Sequence, residues 1–511
     1  MKVFRAGSLM LFLCVASAQA QFNPAYDVEI HSLPNIIAAG HLVDIDPNDG
    51  IDYMDLVVTH GGFAGISILT GHGDGTFDST RFVYDSTGAN KWSDFGGMYI
   101  SDLDGDSLND IVSAGGSQYN IKILLNRSTT VFPVFETLSY NLPDTVYPGG
   151  DFVDLCGCDF DDDGDADLAV ATHVHDVHIF ENITSVTDTV PVYSYVGKLF
   201  KWGLTYTNDG VINCAELDSM SAGPDIVVIA DGGYPNGSLG NIVVFKNNGS
   251  APFGAGTFDT AAYYGTSEDN LGTQCLVLQD FDGDSHPDLA MTYSQIDSIA
   301  VMQNVAGAFT NLTYYPVSQD AIGIAAGQFD QTDNNIDLVI STDDSLLILR
   351  GNGDMTFEDP LSYPVNADAD DGITTGDFVR DCDSFVDIAV VDGEGGSHSF
   401  AVLLDDADPQ CNAIPGDANA TETLTTADVI AISNYIYNKP GWPSCPSMNK
   451  DCWLSDQVCR GDVNGTVTIT NADLIYLANW IYNKPRGDCT PSYAGECWRP
   501  VPSCECCQLL P

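Results

Sequence analysis

One short text recurs seven times along this chain: an aspartate followed at once by an aliphatic run. It reads Asp55-Leu56-Val57-Val58, Asp110-Ile111-Val112, Asp167-Leu168-Ala169-Val170 and Asp225-Ile226-Val227-Val228. It returns as Asp288-Leu289-Ala290, Asp337-Leu338-Val339-Ile340 and Asp387-Ile388-Ala389-Val390. The aspartates are 55, 57, 58, 63, 49 and 50 residues apart. Short apolar runs of this kind read as strands buried on both faces. A second strand follows each run, as at 66–69, 121–125, 242–245, 346–349 and 400–404. Then comes a glycine turn and an aromatic, as in Gly71-His72-Gly73-Asp74-Gly75-Thr76-Phe77 and Gly351-Asn352-Gly353-Asp354-Met355-Thr356-Phe357. Units at a steady period must stack to bury their apolar faces. Seven units of this size suit the four-stranded blades of a β-propeller, a mainly β fold.

In three units the aspartate closes a carboxylate series. Asp280, Asp282, Asp284 and Asp288 occupy positions 1, 3, 5 and 9 of a tight loop, and Asp102, Asp104, Asp106 and Asp110 repeat the pattern. Asp159, Asp161, Asp163 and Asp167 repeat it again. Alternate residues of such a loop can turn their oxygens to one centre. Hard oxygens at that density suit Ca²⁺, which takes about six to eight of them at roughly 2.3–2.6 Å.

The ends carry a topological expectation. The seventh unit stops after Leu404 without its outer strand, while Phe22 to Ile30 is an aromatic strand that no unit owns. That strand is expected to complete the seventh blade and leave no open sheet edge.

Residues 1–20 read as a secretory signal. Lys2 and Arg5 precede an apolar run from Leu9 to Val15, and Ala18-Gln19-Ala20 supplies the cleavage site. The run is too short to span a bilayer, and no later stretch is long and apolar enough. The expected location is secreted or extracellular, including the cell surface. The chain carries 17 Lys+Arg against 72 Asp+Glu, a formal net charge of −55. Such a field repels phosphates and argues against nucleic acid and anionic membranes. Of 15 Cys, nine fall after residue 410, and in an exported chain they read as a disulfide-stapled small domain.

The Asp-x-Asp-x-Asp loops and Gly-x-Gly-x-x-x-Phe turns resemble the FG-GAP/VCBS repeat family, found in integrin α-subunit propellers and secreted bacterial proteins. The resemblance covers residues 22–408. It implies Ca²⁺ held in loops on one face of a seven-bladed propeller. The three full matches are the sets above, each completed by the position-7 backbone carbonyl of Leu108, Asp165 or His286. Asp44, Asp46 and Asn48 form a fourth candidate set, with extra residues before Asp55. The remaining loops depart: one keeps Glu216 and Asp218 but loses the middle, one starts with Gln328, and one has Val379 at position 3. These three are expected to be held by other contacts.

After Pro409 the period changes. Gly416-Asp417-Ala418-Asn419-Ala420-Thr421 leads to Asp428, and 45 residues later Gly461-Asp462-Val463-Asn464-Gly465-Thr466 leads to Asp473. The apolar residues Val429, Ile430, Ile432, Tyr435 and Ile436, and Leu474, Ile475, Leu477, Trp480 and Ile481, follow helical spacing. Each run ends at Tyr-Asn-Lys-Pro, where proline stops a helix. Residues 413–490 resemble a dockerin, a small α-helical domain of paired Ca²⁺-loop–helix repeats, with a Cys-rich tail at 491–511. The resemblance implies Asp417, Asn419, Thr421 and Asp428 as ligands in one loop. Asp462, Asn464, Thr466 and Asp473 are their counterparts in the other. Thr421 and Thr466 stand where the family has aspartate. It further implies a cohesin-like protein partner, selected by Thr426, Ala427, Asn471 and Ala472. The other reading of this pair is a structural module packed against a neighbouring domain.

Two further groups stand out. His173, His175 and His178 cluster after the third repeated strand, as a metal pair or as partly exposed hairpin residues. Cys156 and Cys158 flank Gly157, and a bridge between alternate strand residues is strained, so distant partners are expected. No His-Glu-x-x-His, Gly-x-Ser-x-Gly or Gly-x-x-x-x-Gly-Lys motif is present. The expected function is a Ca²⁺-binding propeller that recognises a protein or glycan and is tethered by its C-terminal module. The alternatives are a polysaccharide-degrading enzyme of a cellulosome-like complex and a structural surface or matrix protein.

Overall fold

The computed structural model describes the blades between residues 22 and 404, and beyond them eight residues at 429, 430, 432, 433, 471, 475, 477 and 478. Residues 1–21, the rest of the C-terminal part and connecting segments, among them 44–52, 85–94, 142–151, 201–211, 230–241, 366–371 and 392–398, lie outside the described residues.

Seven four-stranded antiparallel sheets form the fold. Blade 3 is representative: Phe152–Cys158, Asp167–Thr172, Asp176–Asn182 and Tyr193–Phe200, in chain order from the first strand to the fourth. The second strands are the repeated Asp-aliphatic runs. Asp55–His60, Asp167–Thr172 and Asp288–Tyr293 are buried at every residue. Both faces of these strands meet a neighbouring sheet, so no polar alternation is needed. The fourth strands sit at the rim and do alternate, as in Phe309–Pro316.

The seventh blade confirms the expected closure. Ile373–Gly376, Asp387–Val391 and Ser399–Leu403 are joined by Tyr26–Glu29, with Tyr26 opposite Val402 and Glu29 opposite Ser399. The Tyr26 hydroxyl also donates to the Gly75 carbonyl of blade 1. The N-terminal strand therefore caps one blade and touches the next.

Neighbouring first strands pack all the way round, blade 7 against blade 1 included. The core is divided accordingly into seven apolar clusters, one for each blade interface. Phe160, Ile179, Ile226 and Val243 lie between blades 3 and 4; Ile37, Leu56, Ala389 and Phe400 lie between blades 7 and 1. A disulfide between Cys158 and Cys214 crosses the interface of blades 3 and 4. Cys158 thus pairs with a distant partner, as strand geometry requires, while Cys156 is a buried free thiol. The nine cysteines after residue 410 lie outside the described residues.

All eight described residues of the tail are helical. Ile432 and its repeat counterpart Leu477 are buried, whereas Ile430 and Ile475 are exposed. The last two were expected on the apolar face. Positions two apart on a helix are separated by about 200°, so they cannot share a face with Ile432 and Leu477. The helical module as a domain remains a reading of the sequence. No helix among the described residues is long and apolar enough to cross a membrane.

Candidate metal centres

Each sheet is a meander of the same sense. All first-to-second connections therefore leave one face of the ring, together with the third-to-fourth turns. The carboxylate loops belong to this face.

The repeated aspartate is the inner wall of every such loop. It opens the second strand opposite the last residue of the first, as Asp167 does with Cys158 and Asp288 with Gln279. In blades 1, 2, 3, 5 and 6 its two oxygens serve two pieces of backbone. Asp167 Oδ2 accepts the N–H of Phe160 at 3.0 Å, and Oδ1 that of Asn182 at 2.7 Å. Asp110 does the same with Leu103 and Asn126, and Asp288 with Phe281 and Asn304. Asp55 serves Leu42, Val43 and Gly71, and Asp337 serves Phe329 and Gly351. The acid thus clamps its loop, its own strand and the end of the third strand. Carboxylate oxygens have spare lone pairs beyond these bonds.

The three full loops share one backbone. Positions 4 and 6 are left-handed in each: Gly105 and Ser107, Asp162 and Gly164, Gly283 and Ser285, with φ between 62° and 97°. The position-1 carboxylate holds this shape. Asp280 accepts from Gly283 at 2.8 Å, Asp284 at 3.1 Å and Ser285 at 2.8 Å, and Asp102 accepts from the matching Gly105, Asp106 and Ser107. Asp159 accepts from Asp163 and Gly164. Positions 1, 3 and 9 then converge: Asp102, Asp104 and Asp110; Asp159, Asp161 and Asp167; Asp280, Asp282 and Asp288 each offer oxygens within 4.8 Å of one another. Position 5 is turned to the backbone two residues on. Asp106 accepts from Leu108, Asp163 from Asp165 and Asp284 from His286.

These centres are short of positive charge. Burial, opposed by the backbone N–H donors and reinforced by neighbouring carboxylates, pushes Asp167 up to about 8, Asp110 to about 7 and Asp288 to about 6. Oδ1 of Asp104 and Oδ1 of Asp161 are buried with no hydrogen-bond partner. In blade 2, Arg127 Nη1 lies 2.7 Å from Asp104 Oδ2 and 2.9 Å from Asp106 Oδ2.

The divergent loops carry other contacts. The Gln328 amide donates to Asp333 O at 2.6 Å, and Val379 N–H donates to Asp387 Oδ2 at 3.0 Å. In blade 4, Glu216, Asp218 and Asp225 converge within the same 4.8 Å, and Lys246 Nζ lies 3.3 Å from Asp218 Oδ2. Asp44, Asp46 and Asn48 lie outside the described residues. So do Asp417, Asn419, Thr421, Thr426, Ala427 and Asp428, and Asp462, Asn464, Thr466, Ala472 and Asp473. Asn471 is helical and exposed.

Sequence reasoning missed one recurring group. Asn126, Asn182 and Asn304 end the third strands of blades 2, 3 and 5, and Asn247 stands just past that of blade 4. Their side-chain amides donate to Leu42, Leu103, Phe160 and Leu217 of the preceding blade, at 2.6–3.1 Å. Leu103, Phe160 and Leu217 hold position 2 of their loops and Leu42 precedes the Asp44 series, so every asparagine ties one first-to-second connection to the next blade. The signal was present as an asparagine 15 to 22 residues after each of these four aspartates.

His178 is not a hairpin residue. It is fully buried between Phe152 and Tyr195, with ring centroids at 6.0 and 5.7 Å. Neither ring nitrogen has a hydrogen-bond partner. Burial, opposed by Asp176 and aided by Lys198, pulls its pKa down to about 4. His173 and His175 lie outside the described residues.

No family model matches the chain, and no curated protein matches it. Among solved structures it is similar to BBS1N, crystallised in complex with ARL6DN and soaked with mercury. That match has 12% identity and a TM-score of 0.47, over 76% of this chain and 97% of that one. The lead-soaked crystal of the same complex gives 12% and 0.46 over the same shares. An Agrocybe aegerita lectin that recognises non-reducing terminal N-acetylglucosamine gives 16% and 0.44, over 65% and 81%. At these identities the likeness concerns the fold alone, and the blade count rests on the sheet topology.

Two predictions follow from the geometry. Asp337→Ala, in a blade without a carboxylate loop, leaves two buried backbone donors unpaired. Denaturant unfolding is expected to show a loss of roughly 2–6 kcal/mol, at about 1–3 for each donor, whether Ca²⁺ or chelator is present. A loss confined to Ca²⁺ buffer would contradict the clamp role. The His178 ring titrates near its ordinary 6.5 when unfolded and near 4 when folded. Stability from the neutral ring is therefore complete above pH 6.5 and is lost as the pH falls toward 4, by about 3 kcal/mol. His178→Leu should remove that part of the difference between urea midpoints at pH 7.5 and 4. Equal losses in both proteins would show that the ring is not titrating in this way.

Proposed function

We propose that this chain is an exported Ca²⁺-binding propeller of the FG-GAP/VCBS kind. One face recognises a protein or glycan, and a dockerin-like module tethers it to a cohesin-like partner in an extracellular assembly. The observation that carries the reading is the threefold recurrence of one loop: the same left-handed positions, with carboxylate oxygens from positions 1, 3 and 9 within 4.8 Å. That span matches the diameter of a Ca²⁺ shell, whose oxygens stand at about 2.3–2.6 Å from the ion. The unpartnered oxygens of Asp104 and Asp161 suit the same ion. The ions complete loops that the backbone has already shaped, and their role on this face is structural.

Ligand recognition is assigned, in this reading, to the face opposite the carboxylate loops.

Calorimetric titration of the full chain with Ca²⁺ tests the ion sites. Asp282→Ala should lower the number of bound ions by one, and an unchanged number would mean that blade 5 is wrongly assigned. Capture from secreted and surface proteins of the source organism tests the tether. The full chain should retain a cohesin-like protein in Ca²⁺ and release it in chelator. Retention that ignores the chelator, or no such capture, removes the tether from the proposal.

A further inference from the structure

The repeated aspartate of blade 4 poses a problem of charge that those of blades 2, 3 and 5 do not. Asp225 is only 1% exposed. Its Oδ1 accepts the Asn247 N–H at 2.7 Å, like its counterparts, but its Oδ2 has no hydrogen-bond partner. In blades 2, 3 and 5 that same oxygen accepts a loop N–H at 2.9–3.0 Å. The Asp225 carboxylate belongs to a group with Glu216 and Asp218, whose oxygens lie within 4.8 Å of one another. A buried carboxylate so placed demands a cation.

The residue just before the third-strand asparagine faces this demand in two successive blades. In blade 4 it is Lys246, whose Nζ lies 3.3 Å from Asp218 Oδ2. In blade 5 it is Gln303, whose Nε2 donates to Asp282 Oδ2 at 2.7 Å. Each confronts the position-3 carboxylate of its own loop. Blade 2 has Leu125 there, and Arg127 reaches the loop from the following turn.

The Lys246 pair also lies against the next blade. Gly307, in the turn of blade 5, has φ +82°, and a Cβ on it would lie 2.3 Å from Lys246 Nζ and 2.4 Å from Asp218 Cβ. The turn is held by Gly307 N–H donating to Asn304 Oδ1 at 2.8 Å, while the Asn304 amide donates to Leu217 O between Glu216 and Asp218. The ammonium thus sits between its own loop and the next blade.

We infer that the side chain preceding the third-strand asparagine selects the cation of its loop in blades 4 and 5. Lys246 supplies the protein's own ammonium in blade 4, and Gln303 leaves blade 5 open to a divalent ion. The inference rests on the reading of these loops as Ca²⁺ sites. It makes blade 4 independent of Ca²⁺.

Equilibrium dialysis of the full, chelator-stripped chain against Ca²⁺, with bound metal counted by mass spectrometry, tests it. Lys246→Gln should gain one ion per chain. Gln303→Lys should lose one. Near-UV circular dichroism identifies any variant that fails to fold, and the two opposite exchanges do not depend on each other. Unchanged counts in both folded exchanges, with Ca²⁺ still bound to the wild type, overturn the selection rule while leaving the Ca²⁺ reading intact. A wild type that binds no Ca²⁺ overturns both.

Discussion

A buried carboxylate at the head of each second strand is the interaction on which this ring depends. Where a blade's first strand turns back, the loop and the third strand leave backbone donors pointing inward. Unpaired, each would cost about as much as a lost buried hydrogen bond. One carboxylate accepts from both sides, as Asp167 does from Phe160 and Asn182. A neutral side chain of the same length has fewer acceptor sites and cannot serve both. The clamp is present in blades with and without a carboxylate loop, Asp337 being an instance of the second kind. The acidic loops are therefore built onto a structural device. Once one charge is buried for structure, a few more carboxylates outward of it make a cation the natural neutraliser.

The same residues link the blades into a ring. Asparagines at the ends of four third strands reach the loop carbonyls of the preceding blades. The Cys158–Cys214 disulfide sits beside the loops of blades 3 and 4. The strand Tyr26–Glu29 closes blade 7. Loop shape, blade contact and ring closure are thus coupled on one face. A change in one loop's charge is felt by the blade that leans on it, as Gly307 leans on Lys246 and Asp218.

Much of this was legible in the sequence because it is written locally. The repeated Asp-aliphatic text located the second strands. The orphan aromatic strand and the shortened last unit foretold the closure. Alternate aspartates around a glycine or a small residue marked three loops whose backbones coincide. Other features were not legible. His178 looked like a hairpin residue, yet Phe152 and Tyr195 bury it from neighbouring strands. Ile430 and Ile475 counted toward an apolar face from which helical geometry turns them away. The asparagines were invisible as a group because their acceptors lie 79 to 87 residues away.

By itself, the sequence determined the number of blades, the order of strands and the places where carboxylates gather. Those follow from periodicity and from the short reach of a loop. The tertiary structure decided which oxygens are already used by backbone, which remain unpaired, and which third-strand side chain meets each cluster. Lys246 and Gln303 are unremarkable as letters. Only the pairing of strands, with the packing of one blade on the next, brings them against carboxylates 28 and 21 residues away. Charge acts through space, and the distances through which it acts exist only in the folded chain.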